Sequence, residues 1–211
     1  MVVGLTGGYC AGKDVVARVL AARGYTVIDV DALGHDALRV MAAEVFKAFG
    51  ASVRSPDGSV DRKALGKIVF ADPVSLARLE LIVHPVMVND VRRRTAAMGG
   101  DVLINAAILH HMGLDLLCDA VVCVRAPLVA RVFRAMRRDR LTFCAALSRI
   151  RASGRADARH GFSASGRADA RHGFSPPQFN DSPVDTYTVG NKGSMRSLEH
   201  RVARLDQRLR G

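Results

Sequence analysis

Between the apolar run Val2–Leu5 and the amphipathic stretch Asp14–Arg23, the chain reads Gly7-Gly8-Tyr9-Cys10-Ala11-Gly12-Lys13. A buried strand that passes through a glycine-rich loop straight into a helix leaves few architectures open. At the spacing of Gly7, Gly12 and Lys13, successive backbone N–H groups curl around a phosphate, and the helix aims its positive end at the same oxygens. Glycine is required where the backbone turns or is approached closely.

Further along, strand-like and helix-like stretches alternate. Residues 1–6 read as a strand and 14–23 as a helix closed by Gly24; 26–31 read as a second buried strand and 32–49 as a helix running to Gly50. A turn-rich connection at 55–62 precedes helices at 63–70 and 73–98, the second expected to break near Pro85. Strands are expected at 101–109 and 119–126, then a helix at 127–140 with Pro127 in its first turn. Beyond Arg140 the pattern stops, and "SGRADARHGFS" at 153–163 recurs letter for letter at 165–175. Two copies cannot stack a core, so the duplication reads as the lengthening of a mobile loop. A strand at 185–191 and a basic helix at 195–210 close the chain. Such alternation predicts an α/β fold, a parallel sheet with helices on both faces.

Charge is distributed unevenly. Residues 1–124 hold 13 basic and 13 acidic side chains; residues 125–211 hold 18 and 7, which accounts for the whole net charge of +11. The basic part must face anions or solvent. No Trp and few aromatics interleave with the arginines, so phosphorylated small molecules fit better than nucleic acid, which is not expected as a partner. No stretch is apolar over the roughly 20 residues of a membrane span, and a cytoplasmic protein is expected. Cys10, Cys118, Cys123 and Cys144 have no metal or disulfide spacing and are expected to be reduced and mostly buried.

Within the loop, Lys13 has the reach for the β- and γ-phosphates of a nucleotide, and Thr6 with Gly8 would shape the entrance. Cys10 and Ala11 are small enough for close backbone approach. Position 14 normally carries a hydroxyl that ligates Mg²⁺; here it is Asp14. Unit charges 4 Å apart at an effective dielectric of 20 repel by roughly 4 kcal/mol, but a divalent cation between carboxylate and phosphate reverses the sign. Active use of Mg-ATP is therefore expected, with Asp14 as metal ligand. In "IDVD", a period of two would place Asp29 and Asp31 on one strand face at the carboxyl edge of the sheet. An acid there can accept a proton from an attacking hydroxyl, hold a metal-bound water, or simply cap the helix expected from Ala32. These residues leave open a nucleoside or nucleotide kinase, or a non-catalytic nucleotide- or RNA-binding protein.

The order of motifs resembles one family, the dephospho-CoA kinases. "GLTGGYCAGK" is similar to that family's loop, "GYTVIDVDALGHDAL" to its segment with the catalytic Asp, and "DGSVDRKALGKIVFADPVSLARLELIVHP" to its long substrate-side motif. "RVFRAMRRDRLT" and "VGNKGS" resemble its lid and its last strand and turn. The resemblance runs through 1–150 and 184–209. It implies a three-layer P-loop kinase fold and transfer of a phosphoryl group from ATP to the ribose 3′-hydroxyl of dephospho-CoA, the last step of coenzyme A synthesis. It implies a nucleotide-binding core of 1–31, 100–137 and 184–211, a helical acceptor subdomain of 32–99 and a lid of 138–183. By resemblance, Asp31 is the general base, and Arg62 and His84 with Thr6 serve the acceptor. Arg138 is the lid arginine, and Gly7, Gly8, Cys10 to Val15, Arg134 and Asn191 surround ATP. Mg²⁺ is the implied cofactor; ATP and dephospho-CoA are the implied partners of a monomer or weak homo-oligomer. The chain departs from the family at Asp14, at His111, where an acid is usual, and at Ser153, where the lid carries a glutamine.

Overall fold

The computed structural model describes residues 1–159 and 184–211. In chain order the elements begin with β1 (Val2–Gly7), α1 (Lys13–Ala21), β2 (Thr26–Asp29), α2 (Val30–Val40), α3 (Ala42–Phe49), α4 (Arg62–Ala71) and α5 (Pro73–Ala97). There follow β3 (Val102–Asn105), β4 (Ala120–Arg125), α6 (Leu128–Asp139), α7 (Phe143–Arg159), β5 (Asp185–Gly190) and α8 (Met195–Arg210). They gather into two compact units, Met1–Ile28 with Met98–Gly211, and Asp29–Ala97.

The first unit is built on a parallel sheet of order β2-β3-β1-β4-β5. β1 lies between β3 and β4, with Leu5 beside Asn105 and Gly7 beside Val124, and Arg125 of β4 pairs with Gly190 of β5. Parallel strands buried on both faces must be apolar throughout, as Val102–Ile104 and Ala120–Val124 are. Val3, Leu5, Leu103, Val122 and Val124 pack against Val16 and Leu20 of α1 and Leu198, Val202 and Leu205 of α8.

This order locates a ligand crevice. From β1 the chain crosses by α1 to β2 on one side, whereas from β4 it crosses by α6 and α7 to β5 on the other. β1 and β4 are neighbours whose connections diverge, so a crevice opens at their carboxyl ends, between the loop after Gly7 and the helix after Arg125.

The second unit is helical. Its core is Val45, Val53, Leu65 and Val69, with Leu76, Leu79 and Ile82 of α5 packed on it. Asp61 caps α4, its carboxylate accepting from the N–H groups of Lys63 and Ala64.

Several expectations are corrected. α5 runs unbroken through Pro85. The proline's missing N–H frees the carbonyl of Leu81, on an exposed flank of the helix where water can satisfy it. The helix expected over 32–49 is two helices meeting at Met41, and it starts earlier, at Val30. Asp31 is therefore a helix residue, neither the end of a strand nor a cap. The cap is Asp29, whose Oδ1 accepts from the N–H groups of Asp31 and Ala32. Where no regular structure was expected between Arg140 and the strand at 185–191, α7 packs Ala146 and Ile150 against Val132 and Ala135 of α6. It runs through the first seven residues of the first repeat copy; the rest of the duplication lies outside the described residues. Of the four thiols only Cys118 and Cys123 are buried; Cys10 is half-buried and Cys144 exposed. Among the described residues no helix is long and apolar enough to cross a membrane.

Candidate active site

The loop from Gly7 to Lys13 owes its shape to groups that pull its carbonyls outward. Arg131 Nε donates to the Tyr9 carbonyl at 2.8 Å, and Arg134 Nη1 donates to the carbonyls of Cys10 and Ala11 at 3.3 and 3.2 Å. Buried Asn191, just past β5, donates its Nδ2 to the Ala11 carbonyl at 2.9 Å, and its own carbonyl accepts from Arg134 Nη2. In a trans peptide C=O and N–H point in opposite directions, and no peptide here is cis. Drawing out the Tyr9 and Ala11 carbonyls thus turns the N–H groups of Cys10 and Gly12 to the other side of the loop. That is the concave, donor-lined arrangement that binds phosphate.

Two glycines are dictated by this geometry. At Gly7 a Cβ would lie 2.7 Å from the Val124 carbonyl oxygen, because the end of β1 is pressed against β4. Gly12 has φ +102°, and a Cβ there would collide with Asn191 Nδ2. Cys10 also takes a left-handed φ of +59°, a conformation uncommon without glycine. Burial pushes its thiol pKa up, against the opposing pull of Arg138 and Arg131.

After Gly12 the chain enters α1 at once, with the N–H groups of Val15 and Val16 donating to the Gly12 carbonyl. Lys13 and Val15 are half-buried in its first turn and Asp14 is exposed between them. A carboxylate is a hard oxygen donor, so an exposed Asp14 at the end of the phosphate loop suits Mg²⁺ by its chemistry. Thr6 is buried at the end of β1, its Oγ1 donating to the Ala107 carbonyl at 3.2 Å. Its hydroxyl therefore ties β1 to the segment after β3.

Across the loop, α6 presents Arg131, Arg134 and Arg138 at i, i+3 and i+7, one stripe of the helix. Arg138 forms a bidentate pair with Asp139, Nε to Oδ1 at 2.9 Å and Nη2 to Oδ2 at 3.1 Å. Its guanidinium also lies 5.2 Å from the ring centroid of Tyr9. Tyr9 donates its hydroxyl to Asp139, Arg149 of α7 sits 5.8 Å from the same ring, and the Tyr9 N–H meets Ser153 Oγ at 3.4 Å. Hydrogen bonds from Arg138 and then Tyr9 hold the Asp139 carboxyl down at about 2, and the Asp139 contact raises Arg138 above its ordinary value. Asp139, Arg131 and Tyr9 join the site only through the folded structure. Arg131 was detectable, standing three residues before Arg134, whereas Tyr9 occupies a position on which the loop's spacing is silent.

Much of the basic excess is accounted for here. Arg131, Arg134, Arg138 and Arg149 surround the loop, Arg201 donates to the Gly190 carbonyl, and Arg23 and Arg210 pair with Asp206. In the second unit, Asp31 is exposed in the first turn of α2, Arg62 is exposed at the start of α4, and His84 is half-buried on α5.

A strand–loop–helix phosphate cradle at the switch point of a parallel sheet, braced by an arginine stripe, defines a P-loop phosphotransferase. The family model described as dephospho-CoA kinase matches residues 1–164. A curated dephospho-CoA kinase of Anaeromyxobacter dehalogenans is 43% identical over 158 residues, covering 72% of this chain and 75% of its own. The solved structure of TT1252 from Thermus thermophilus, 28% identical, superposes with a TM-score of 0.74 over 100% of this chain and 98% of its own. A dephospho-CoA kinase structure from Campylobacter jejuni, 19% identical, supports the fold with a TM-score of 0.65 over 99% and 96%. The chain belongs to the dephospho-CoA kinase family, and its function is the family's, ATP-dependent phosphorylation of dephospho-CoA.

Proposed function

We propose that the loop of Gly7–Val15, with Lys13, seats the polyphosphate of ATP, and that Asp31 accepts the proton of the attacking ribose 3′-hydroxyl. One observation carries this reading: three arms from outside the loop, Arg131, Arg134 and Asn191, draw the Tyr9 and Ala11 carbonyls away and turn the Cys10 and Gly12 N–H groups to the side that would take an anion. The cap of α2 is Asp29, so capping is not the task of Asp31, whose carboxylate can by its chemistry accept a proton. Lys13 supplies a positive charge to the β and γ oxygens. Arg138, and Arg134 behind the loop, offset the negative charge that spreads over the transferring group. Asp14 is the residue that would hold magnesium, which would supply charge neutralisation to the polyphosphate. Arg62 and His84 serve the phosphorylated acceptor, and α6 with α7 forms the lid side that excludes water. ATP and dephospho-CoA are the partners, in the cytoplasm.

Lys13→Ala tests the donor half of this reading. Turnover is expected to fall by about 10²- to 10³-fold and ATP affinity to weaken, with the circular dichroism spectrum unchanged. Wild-type turnover in that variant would remove Lys13 and the loop from the chemistry.

A further inference from the structure

Arg138 stands in the last turn of α6, about half exposed, and a long side chain there would ordinarily sample many rotamers. Its bidentate partner is its own neighbour, Asp139. Adjacent residues on a helix do not face each other, so this pair by itself fixes neither side chain with respect to anything beyond the helix end. What refers it to the phosphate loop is Tyr9. The ring lies beneath the Arg138 guanidinium at 5.2 Å, and the hydroxyl donates to the carboxylate that holds the other edge of the same guanidinium. Tyr9 is itself immobilised. Arg131 Nε holds its carbonyl, Ser153 Oγ meets its N–H, and Arg149 approaches ring and hydroxyl from α7, at 5.8 Å from the centroid and 3.5 Å from the oxygen. It packs on the small core of Val132, Ala135, Ala146 and Ile150 that joins α6 to α7.

We propose that Tyr9 is a positioning residue for phosphoryl transfer: the loop that receives the polyphosphate also carries the ring and hydroxyl that place Arg138 over it. The inference rests on the reading above that Arg138 works on the transferring phosphoryl group. Two groups of one side chain divide the task. The ring restrains the guanidinium plane, and the hydroxyl restrains the carboxylate that orients it. The fork to Asp139 uses Nε and Nη2, so the Nη1 side lies outside it. Because Tyr9 belongs to the loop, any shift of the loop carries the arginine with it and their registration is preserved. Transfer is sensitive to such registration, since misplacing a charged group by about 1 Å can cost on the order of 10²-fold in rate.

A double-mutant cycle tests the proposal by steady-state kinetics on the full chain with Mg-ATP and dephospho-CoA, using Tyr9→Leu, Tyr9→Phe, Arg138→Ala and Tyr9→Leu with Arg138→Ala. Tyr9→Leu is expected to lower kcat by about tenfold, with KM for dephospho-CoA unchanged, because it loses both the ring contact and the charge-assisted hydrogen bond. Tyr9→Phe keeps the ring and is expected to lose about threefold, which also serves should the leucine variant fold poorly. In the Arg138→Ala background, Tyr9→Leu is expected to change kcat by less than about twofold, since its effect passes through the missing arginine. Factors that multiply in the double variant, or a Tyr9→Phe and Tyr9→Leu pair both equal to wild type, would overturn the proposal and leave the role of Arg138 intact. Wild-type turnover in Arg138→Ala alone would instead overturn the reading of Arg138, and the proposal with it.

Discussion

Replacing Asp31 by asparagine is expected to lower kcat by about two to four orders of magnitude while ATP affinity stays within about threefold of wild type. The first half follows from the chemistry of the acceptor: a ribose hydroxyl is a poor nucleophile until its proton has somewhere to go, and asparagine cannot take it. The second half follows from the location of the residue. The groups that shape the phosphate loop are Arg131, Arg134 and Asn191, and Asp31 is not among them. Nor should the helix suffer, because its cap is Asp29. Asp29→Ala supplies the contrast. It is expected to lower stability by about 1 kcal/mol through the lost cap, with a far smaller effect on kcat. Turnover by initial rates and ATP affinity by calorimetry separate the two roles, and unchanged turnover in Asp31→Asn would exclude it as the base.

Gly12→Ala is expected to abolish measurable nucleotide binding, a loss of at least about 10²-fold, in a protein that still folds. A left-handed φ of +102° disfavours any Cβ, and the position it would take is occupied by the Asn191 amide. Asn191 cannot yield cheaply, because its Nδ2 holds the Ala11 carbonyl and its carbonyl accepts from Arg134. The methyl must therefore displace the loop from its two braces, which turns the Gly12 N–H away from the concave side. The sheet and the packing of α1 against α8 do not depend on that peptide, so thermal unfolding should remain cooperative. Titration with an ATP analogue reads the result, and binding near wild-type strength would show that the cradle has another construction.

How much of this could be read from the sequence follows the range of each signal. The phosphate loop was legible because its code is local: strand, Gly7, Gly12, Lys13 and helix lie within 20 residues. The parallel α/β order was legible because strands buried on both faces carry continuous apolar runs. "IDVD" misled, since apolar alternation at period two continues to Asp31, whereas Asp29 already caps a helix; the two readings share the same letters and only backbone geometry separates them. Pro85 suggested a break, but a proline whose unpaired carbonyl faces water can remain within a helix that the second core holds from the opposite side. α7 escaped because its polar first repeat copy hides the pair Ala146 and Ile150 that seats it on α6. Tyr9 and Asp139 escaped for a different reason. Their contact spans 130 residues, and no local pattern encodes it.

The measurement that bears most directly on the central claim is phosphorus NMR of the product formed by the purified chain from ATP, Mg²⁺ and dephospho-CoA. Asp14→Ser, which restores the hydroxyl usual at that position, is run beside it. A new phosphomonoester on the ribose and one ADP per product are expected from the chain as it stands, with Asp14 at the end of its loop. Failure of this chain to form the phosphomonoester, while the serine variant forms it readily, would contradict the account.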